Sequence, residues 1–215
     1  MTDETAPTKK WLMTPIGTLS YPNLFKAVLG RNPLPGSKPR FSVDILFTAA
    51  DLELPEFKAL VTASAACAQA EWGSGYLDMI KRGVLKLPFR RDVEKRNYPK
   101  EFVLFFTASA VENPNYPAPE IISISGTKIT DQRRVYPGVR ARIMVDPYPR
   151  KIDTNKGVSM GLGNIQIVED GPRLAGGVAA DPRTQFPLAA EPAGVDPLAA
   201  FAGGNASVGA DEIPY

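Results

Sequence analysis

At 215 residues the chain can hold one ample domain or two small ones; 44% hydrophobic content suffices for a core, while 21 prolines and 18 glycines demand many turns. A single cysteine, Cys67, excludes an internal disulfide and a cysteine-based zinc cluster, and the lack of any histidine removes the commonest general base and transition-metal ligand. The net charge of +2 conceals a division: after Leu174 one arginine faces five carboxylates, a net of −4, which leaves +6 on residues 1–174.

The opening MTDETAPTKK lacks the apolar run of a signal peptide, and no later stretch reaches membrane-spanning length. A cytoplasmic protein without membrane association is expected, with residues 1–9 as a flexible N-terminus. Residues 11–24 read as a first strand interrupted by Pro15 and Gly17. At its end Tyr21, Phe25 and Lys26 lie close together near a turn, either as packing or as platforms for flat bases. The loop RNPLPGSKPR brings Arg31, Lys38 and Arg40 to one edge. Phe41, Val43, Ile45 and Phe47 then alternate with Ser42 and Asp44, which marks a half-buried strand.

Pro55 suits a first helical position, and the helix should run to about Trp72. Phe57, Leu60, Val61, Ser64, Cys67 and Ala68 recur at steps of three and four, giving one apolar face with Cys67 as a small packing residue. Gly73 and Gly75 can end it, and a shorter helix over residues 76–82 follows. The stretch 81–100 is the most basic: eight lysines or arginines stand against Asp92 and Glu94, with Phe89 and Tyr98 interleaved. Such a run is either a solvated face or a single-strand contact, because binders of unpaired strands combine phosphate-neutralising cations with stacking rings. Arg90, Arg91, Lys95 and Arg96 are its candidate phosphate ligands.

Residues 102–109 form a buried strand by composition, 113–119 a proline-rich loop, and 121–126 another strand. In the stretch 133–167, Val139, Ala141, Ile143 and Val145 alternate with Arg140, Arg142 and Met144, so the two guanidinium groups share the non-core face about 7 Å apart. Arg133, Arg134 and Tyr136 precede this strand; Tyr148, Arg150 and Lys151 end it, and Lys156 follows. In residues 158–167, Ser159, Gly161 and Gly163 occupy one face, and glycine inside a strand signals a bend or the close approach of another chain. Together these describe either a groove for a polyanion carrying flat bases or an ordinary solvated face.

No catalytic constellation stands out. Gly161 and Gly163 lack the following GK[ST] of a phosphate-binding loop, and Asp44, Asp131, Asp146 and Asp153 show no spacing that would make them converge on a metal. Five or six strands with one main helix fit a small antiparallel barrel, with a β-sandwich as the alternative. Residues 175–215, rich in Ala, Gly and Pro, are expected to be disordered and net acidic.

In order, SYPNLF, FSVDILF, LPFRRD, RRVYPGVRAR and NKGVSMGLGNIQIVEDGPRLAGG resemble bacteriophage single-stranded-DNA-binding proteins with an OB-fold. The resemblance covers about residues 10–178. It implies an OB-fold domain over residues 10–174 that coats exposed phage DNA during replication or recombination, without a cofactor. Phosphates would meet Arg140, Arg142, Arg150, Lys156 and the Arg90–Arg91 pair, bases would stack on Tyr148, Tyr136, Phe25 or Tyr21, and Lys26, Lys95, Tyr98 and Arg134 complete the expected contacts. In related proteins an acidic C-terminus docks on replication partners and competes with DNA. Here Asp211, Glu212 and Tyr215 resemble such an end, although Ala, Gly and Pro dilute its charge. An RNA-binding OB-fold protein and a magnesium-dependent nuclease remain as alternative readings.

Overall fold

Period-two alternation of apolar side chains sets most of the chain as strand, in a computed structural model that describes residues 11–30, 33, 35–115, 117–152 and 155–174, the side chains of Ile152 and Asn155 excepted. Arg31, Asp153, the N-terminus and the acidic tail with Asp211, Glu212 and Tyr215 lie outside the described residues. In chain order the strands are β1 (Leu12–Met13), β2 (Gly17–Val28), β3 (Arg40–Thr48), β4 (Leu85–Lys86), β5 (Phe102–Val111), β6 (Ile121–Ser123), β7 (Arg140–Ile152) and β8 (Asn155–Glu169). Two helices, α1 (Pro55–Trp72) and α2 (Tyr76–Lys81), lie between β3 and β4. The fold is therefore mainly β with one main helix, as expected.

The pairings close on themselves. β2 pairs with β3, β3 with β5, β5 with β8, β8 with β7, and β7 again with β2. One continuous sheet results, which separates the arrangement from a two-sheet sandwich. Four of these five pairings are antiparallel, whereas β5 runs parallel to β8 through Ala108↔Met160 and Ser109↔Gly161. Short β1 borders β7, and β4 and β6 add parallel pairings to β8.

Inside the ring lie Leu19, Val43, Ile45, Phe47, Phe106, Ala141, Ile143, Val145, Met160 and Ile165, each essentially inaccessible to water. Helix α1 starts at Pro55 and lays Phe57 and Leu60 on this core, the Phe57 ring meeting Phe47 edge-on at 5.3 Å. Burying a side chain the size of Leu60 contributes about 1.5–3 kcal/mol. Ser64 is buried and returns its hydroxyl to the Leu60 carbonyl at 2.8 Å, but Val61 turns outward and is 40% exposed. The buried face is thus narrower than the sequence suggests. Cys67 is half-buried among Ala68, Leu85 and Val158; burial and the carboxylates of Asp146 and Glu71 push its thiol pKa up.

A second cluster forms outside the ring. Leu46 on β3 and Phe105 on β5 face away from the main core and pair in register, and Phe102 and Tyr98 cover them. Residues 88–101 fold over this patch and shield it from water. Among the described residues no helix is long and apolar enough to cross a membrane.

Candidate nucleic-acid interface

On the outer face, cross-strand partners form one row of small or polar residues: Asn23↔Ser42↔Ser109↔Gly161↔Asp146. At about 4.8 Å per strand this row spans roughly 19 Å of curved surface without a large side chain. A second track crosses it along β8. Gly157, Ser159, Gly161 and Gly163 share one phase, and their partners are Arg150, Tyr148 and Asp146 on β7 and Lys86 on β4. The result is a trough whose floor lacks bulk and whose sides carry aromatic and cationic groups.

The glycines are needed where rings lie against the floor. A Cβ at Gly163 would stand 2.7 Å from Trp11 Cζ3 and 3.0 Å from the Met144 carbonyl oxygen. One at Gly161 would meet the Asp146 carbonyl oxygen at 3.2 Å and Tyr148 Cδ1 at 3.8 Å. The glycine face is therefore not bare: Trp11 and Tyr148 rest on it. Trp11 precedes the Leu12↔Val145 pair by one residue, which puts it opposite Asp146. These two rings, Arg40, Ser109, Asp146 and the prolines of the 113–119 loop line an open cleft of about 950 Å³.

Charge is distributed unevenly among the candidate residues. Arg150 is half-buried, and its Nε is closed off from water without a hydrogen-bond partner among the described residues. Arg40 is exposed and donates to the Ser109 hydroxyl at 3.4 Å, while Lys86 lies beside Gly157 and Arg142 points outward from β7. Among the described residues none of these four cations is paired with a carboxylate. Arg140, by contrast, is ion-paired with Glu169 at 2.6 Å, Arg90 with Asp92 at 2.6 Å, and Lys151 with Glu71. Arg140 and Arg142 also sit six and four residues along β7 from Asp146, or roughly 20 and 13 Å.

The remaining expected residues fall in three places. Tyr98 is a core residue rather than a platform: it is 8% exposed, packs on Phe105 at 5.3 Å, and donates its hydroxyl to Asp44 Oδ2 at 2.8 Å. Burial, reinforced by the Asp44 carboxylate, pushes its pKa upward. The cause is the outward-facing Leu46 and Phe105, which need an apolar cover. Arg90 and Arg96 complete that cover, 5.0 and 5.8 Å over the Phe105 ring, while Arg91 and Lys95 remain exposed on the same loop. Tyr21 stands just outside, 55% exposed, with its ring 6.2 Å from that of Tyr98. Its backbone has a φ of 46°, at a register shift in the β2–β3 pairing, a conformation that costs a non-glycine residue about 1–2 kcal/mol. Phe25 packs against the main core, and Lys26 is exposed farther along β2.

Tyr136 is also engaged. Its hydroxyl donates to Asp170 Oδ1 at 3.1 Å and accepts from the Gly171 amide at 3.2 Å, and the Arg173 guanidinium covers its ring at 4.3 Å. It fastens residues 170–174, a strap whose Leu174 reaches the second cluster. Arg134 is exposed on the turn before β7. Lys156 pairs in register with Lys151 and Leu85 and so has the opposite phase to Arg150. Among the described residues no three acidic or thiol groups converge on a metal site, and Asp131 is taken by Arg133, whose guanidinium holds its pKa below the usual carboxylate range. The nuclease alternative finds no such cluster among the described residues, and Asp153 lies outside them.

Comparison with known proteins bears on this geometry. The family model described as "Enterobacter phage Enc34, ssDNA-binding protein" matches residues 12–192. No curated protein matches the chain. The solved structure of the single-stranded DNA-binding protein from bacteriophage Enc34 in complex with ssDNA aligns at 15% identity and a TM-score of 0.56, covering 80% of this chain and 99% of that one. The single-stranded DNA-binding protein gp2.5 encoded by bacteriophage T7 aligns at 15% identity and a TM-score of 0.56, covering 77% and 89%. At such identities the likeness is one of fold.

Proposed function

The chain belongs to the family described as Enterobacter phage Enc34, ssDNA-binding protein, and from that membership we infer that it holds single-stranded DNA in the trough along β8. The observation that carries this reading is the placement of Trp11 and Tyr148 against Gly163 and Gly161, with Arg40 in the same cleft and Lys86 beside Gly157, both without carboxylate partners among the described residues. Bases stack on the two rings, each stacked base contributing about 1–3 kcal/mol irrespective of its identity. Phosphates meet Arg40 at one side of the rings and Arg150 with Lys86 at the other. Tyr21, Arg91, Lys95 and Lys26 extend the contact across β2 and the 88–101 loop.

We read the five-strand ring as an OB-type barrel that coats exposed phage DNA during replication or recombination, with no chemical step and no cofactor. The acidic residues 175–215 then serve replication or recombination proteins through Asp211, Glu212 and Tyr215, and compete with DNA for the basic face. Fluorescence anisotropy with labelled oligonucleotides tests the reading: unpaired DNA should bind well ahead of duplex and of an RNA of the same sequence. Equal binding of duplex would refute it, and a preference for RNA would move the assignment to RNA. Removal of residues 175–215 should tighten DNA binding; unchanged affinity would refute the competing tail.

A further inference from the structure

One aromatic ring stands apart from the trough, in a backbone conformation that its residue type does not favour. On β2 the pairs Ser20↔Asp44 and Asn23↔Ser42 leave Tyr21 and Pro22 facing Val43 alone, a bulge that pushes Tyr21 out of the ladder. Its φ of 46° is one that asparagine or glycine adopts at little cost and tyrosine does not. The ring is more than half exposed, so burial does not offset the strain. Strain kept without burial argues for a use other than folding. The ring also has a fixed foot. Tyr98 lies 6.2 Å from it and is anchored through its hydroxyl to Asp44 Oδ2 at 2.8 Å. Arg96 approaches the same oxygen at 3.9 Å and stays partly exposed, which sets a guanidinium beside that foot.

The bulge opens at one end of the row Asn23↔Ser42↔Ser109↔Gly161, whose other end is the floor beside Tyr148. Three strand spacings, about 14 Å, separate Asn23 from Gly161. Arg40, which donates to Ser109 at 3.4 Å, places a cation midway along this path. A stacked strand that advances about 3.4 Å per nucleotide covers the distance in about four. We propose that Tyr21 forms a second base-binding station, and that one strand crosses the sheet along the small-residue row to occupy this station and the trough together. The inference rests on the DNA-binding reading above and adds to it a direction and a length. A strand too short to cross settles in the trough, where two rings and several cations meet it. Only a longer one engages Tyr21.

The test titrates the full chain, Tyr21→Asn and Tyr21→Phe with a dT trinucleotide and with a dT strand of about 16 nucleotides, the upper end of site sizes for such a domain. Tryptophan quenching reports binding. Tyr21→Asn removes the ring but tolerates the backbone angle; it should weaken the long strand about fivefold or more and the trinucleotide clearly less. Tyr21→Phe keeps the ring and should bind the long strand as wild type does. The unfolding midpoint of Tyr21→Asn should be no lower than that of wild type. In the unaltered chain, photocrosslinking with iodouracil-substituted strands should label Tyr21 with the long strand and not with the trinucleotide. A loss equal at both lengths, no loss at either, a loss that Tyr21→Phe shares, or a lower midpoint with unaltered affinity would each overturn the second station. So would a Tyr21 crosslink that ignores strand length or never forms. Failure of wild type to bind any unpaired strand at low salt would instead overturn the functional reading beneath it.

Discussion

Replacing Arg40 and Arg150 together with alanine separates the cations that meet DNA from those already neutralised within the protein. A labelled strand short enough to leave out Arg91, Lys95 and Lys26 meets four cations, Arg40, Lys86, Arg142 and Arg150, none of which is paired with a carboxylate among the described residues. On unpaired strands each neutralised phosphate contributes about 0.7 to the slope of log affinity against log salt, so four contacts predict about −2.8. Between roughly 50 and 200 mM salt, affinity should then fall about fiftyfold. The double substitution should reduce the slope to about −1.4 and weaken binding most at low salt. Arg140→Ala provides the contrast, since Arg140 is tied to Glu169 at 2.6 Å and lies roughly 20 Å along β7 from the cleft. It should leave the slope near −2.8. Anisotropy titrations of a labelled dT strand at several salt concentrations, with urea unfolding as a check on folding, measure all three proteins. A flat response in wild type, or an Arg140→Ala slope as shallow as that of the double variant, would refute the reasoning.

Trp11→Ala and Tyr148→Ala should each weaken DNA binding by about 1–3 kcal/mol in the same titration while leaving the unfolding midpoint little changed; a loss of stability with unaltered affinity would make the rings structural. Tyr98→Phe should do the opposite, costing about 1–3 kcal/mol in urea unfolding because Asp44 loses a buried donor, with small effect on affinity. The Tyr98 pKa is raised in the folded state, so the stability its hydroxyl contributes is complete below the unfolded tyrosine value of about 10 and is lost as pH rises beyond it. Unfolding midpoints measured from pH 8 to 11 should therefore decline more steeply in wild type than in Tyr98→Phe; parallel profiles would show that the hydroxyl is not linked to stability. Gly163→Ala drives a methyl to 2.7 Å from the Trp11 ring and should shift tryptophan fluorescence and weaken binding in a chain that still folds. An unshifted spectrum would mean that the ring does not rest there.

Much of the ring was legible because its strands bury one face. Val139, Ala141, Ile143 and Val145 announce the core side of β7, and every one of them is inaccessible to water. The second cluster was harder to see, since it arises where alternation fails. Ile45, Leu46 and Phe47 are consecutive, as are Leu104, Phe105 and Phe106, and all six are buried. Such runs mean that both faces of β3 and β5 are covered. From them follows the burial of Tyr98, which its basic neighbours disguise. Trp11 was missed for a different reason: it precedes a two-residue strand, and only the register with β7 carries it to Gly163. The pairing of Arg140 with Glu169 was hidden likewise, because 29 positions separate residues that the β7–β8 hairpin puts side by side.

The ring closes through β5 and β8 at just two register pairs, Ala108↔Met160 and Ser109↔Gly161, and the second of these is also part of the trough floor. A polynucleotide lying there would lace the two borders of the sheet together like a suture across a wound. Occupancy and resistance to opening then become one quantity: amide hydrogens along this border should exchange more slowly when DNA is bound, and heat should part the border later. A protein that guards fragile strands would in turn be braced by the strands it guards.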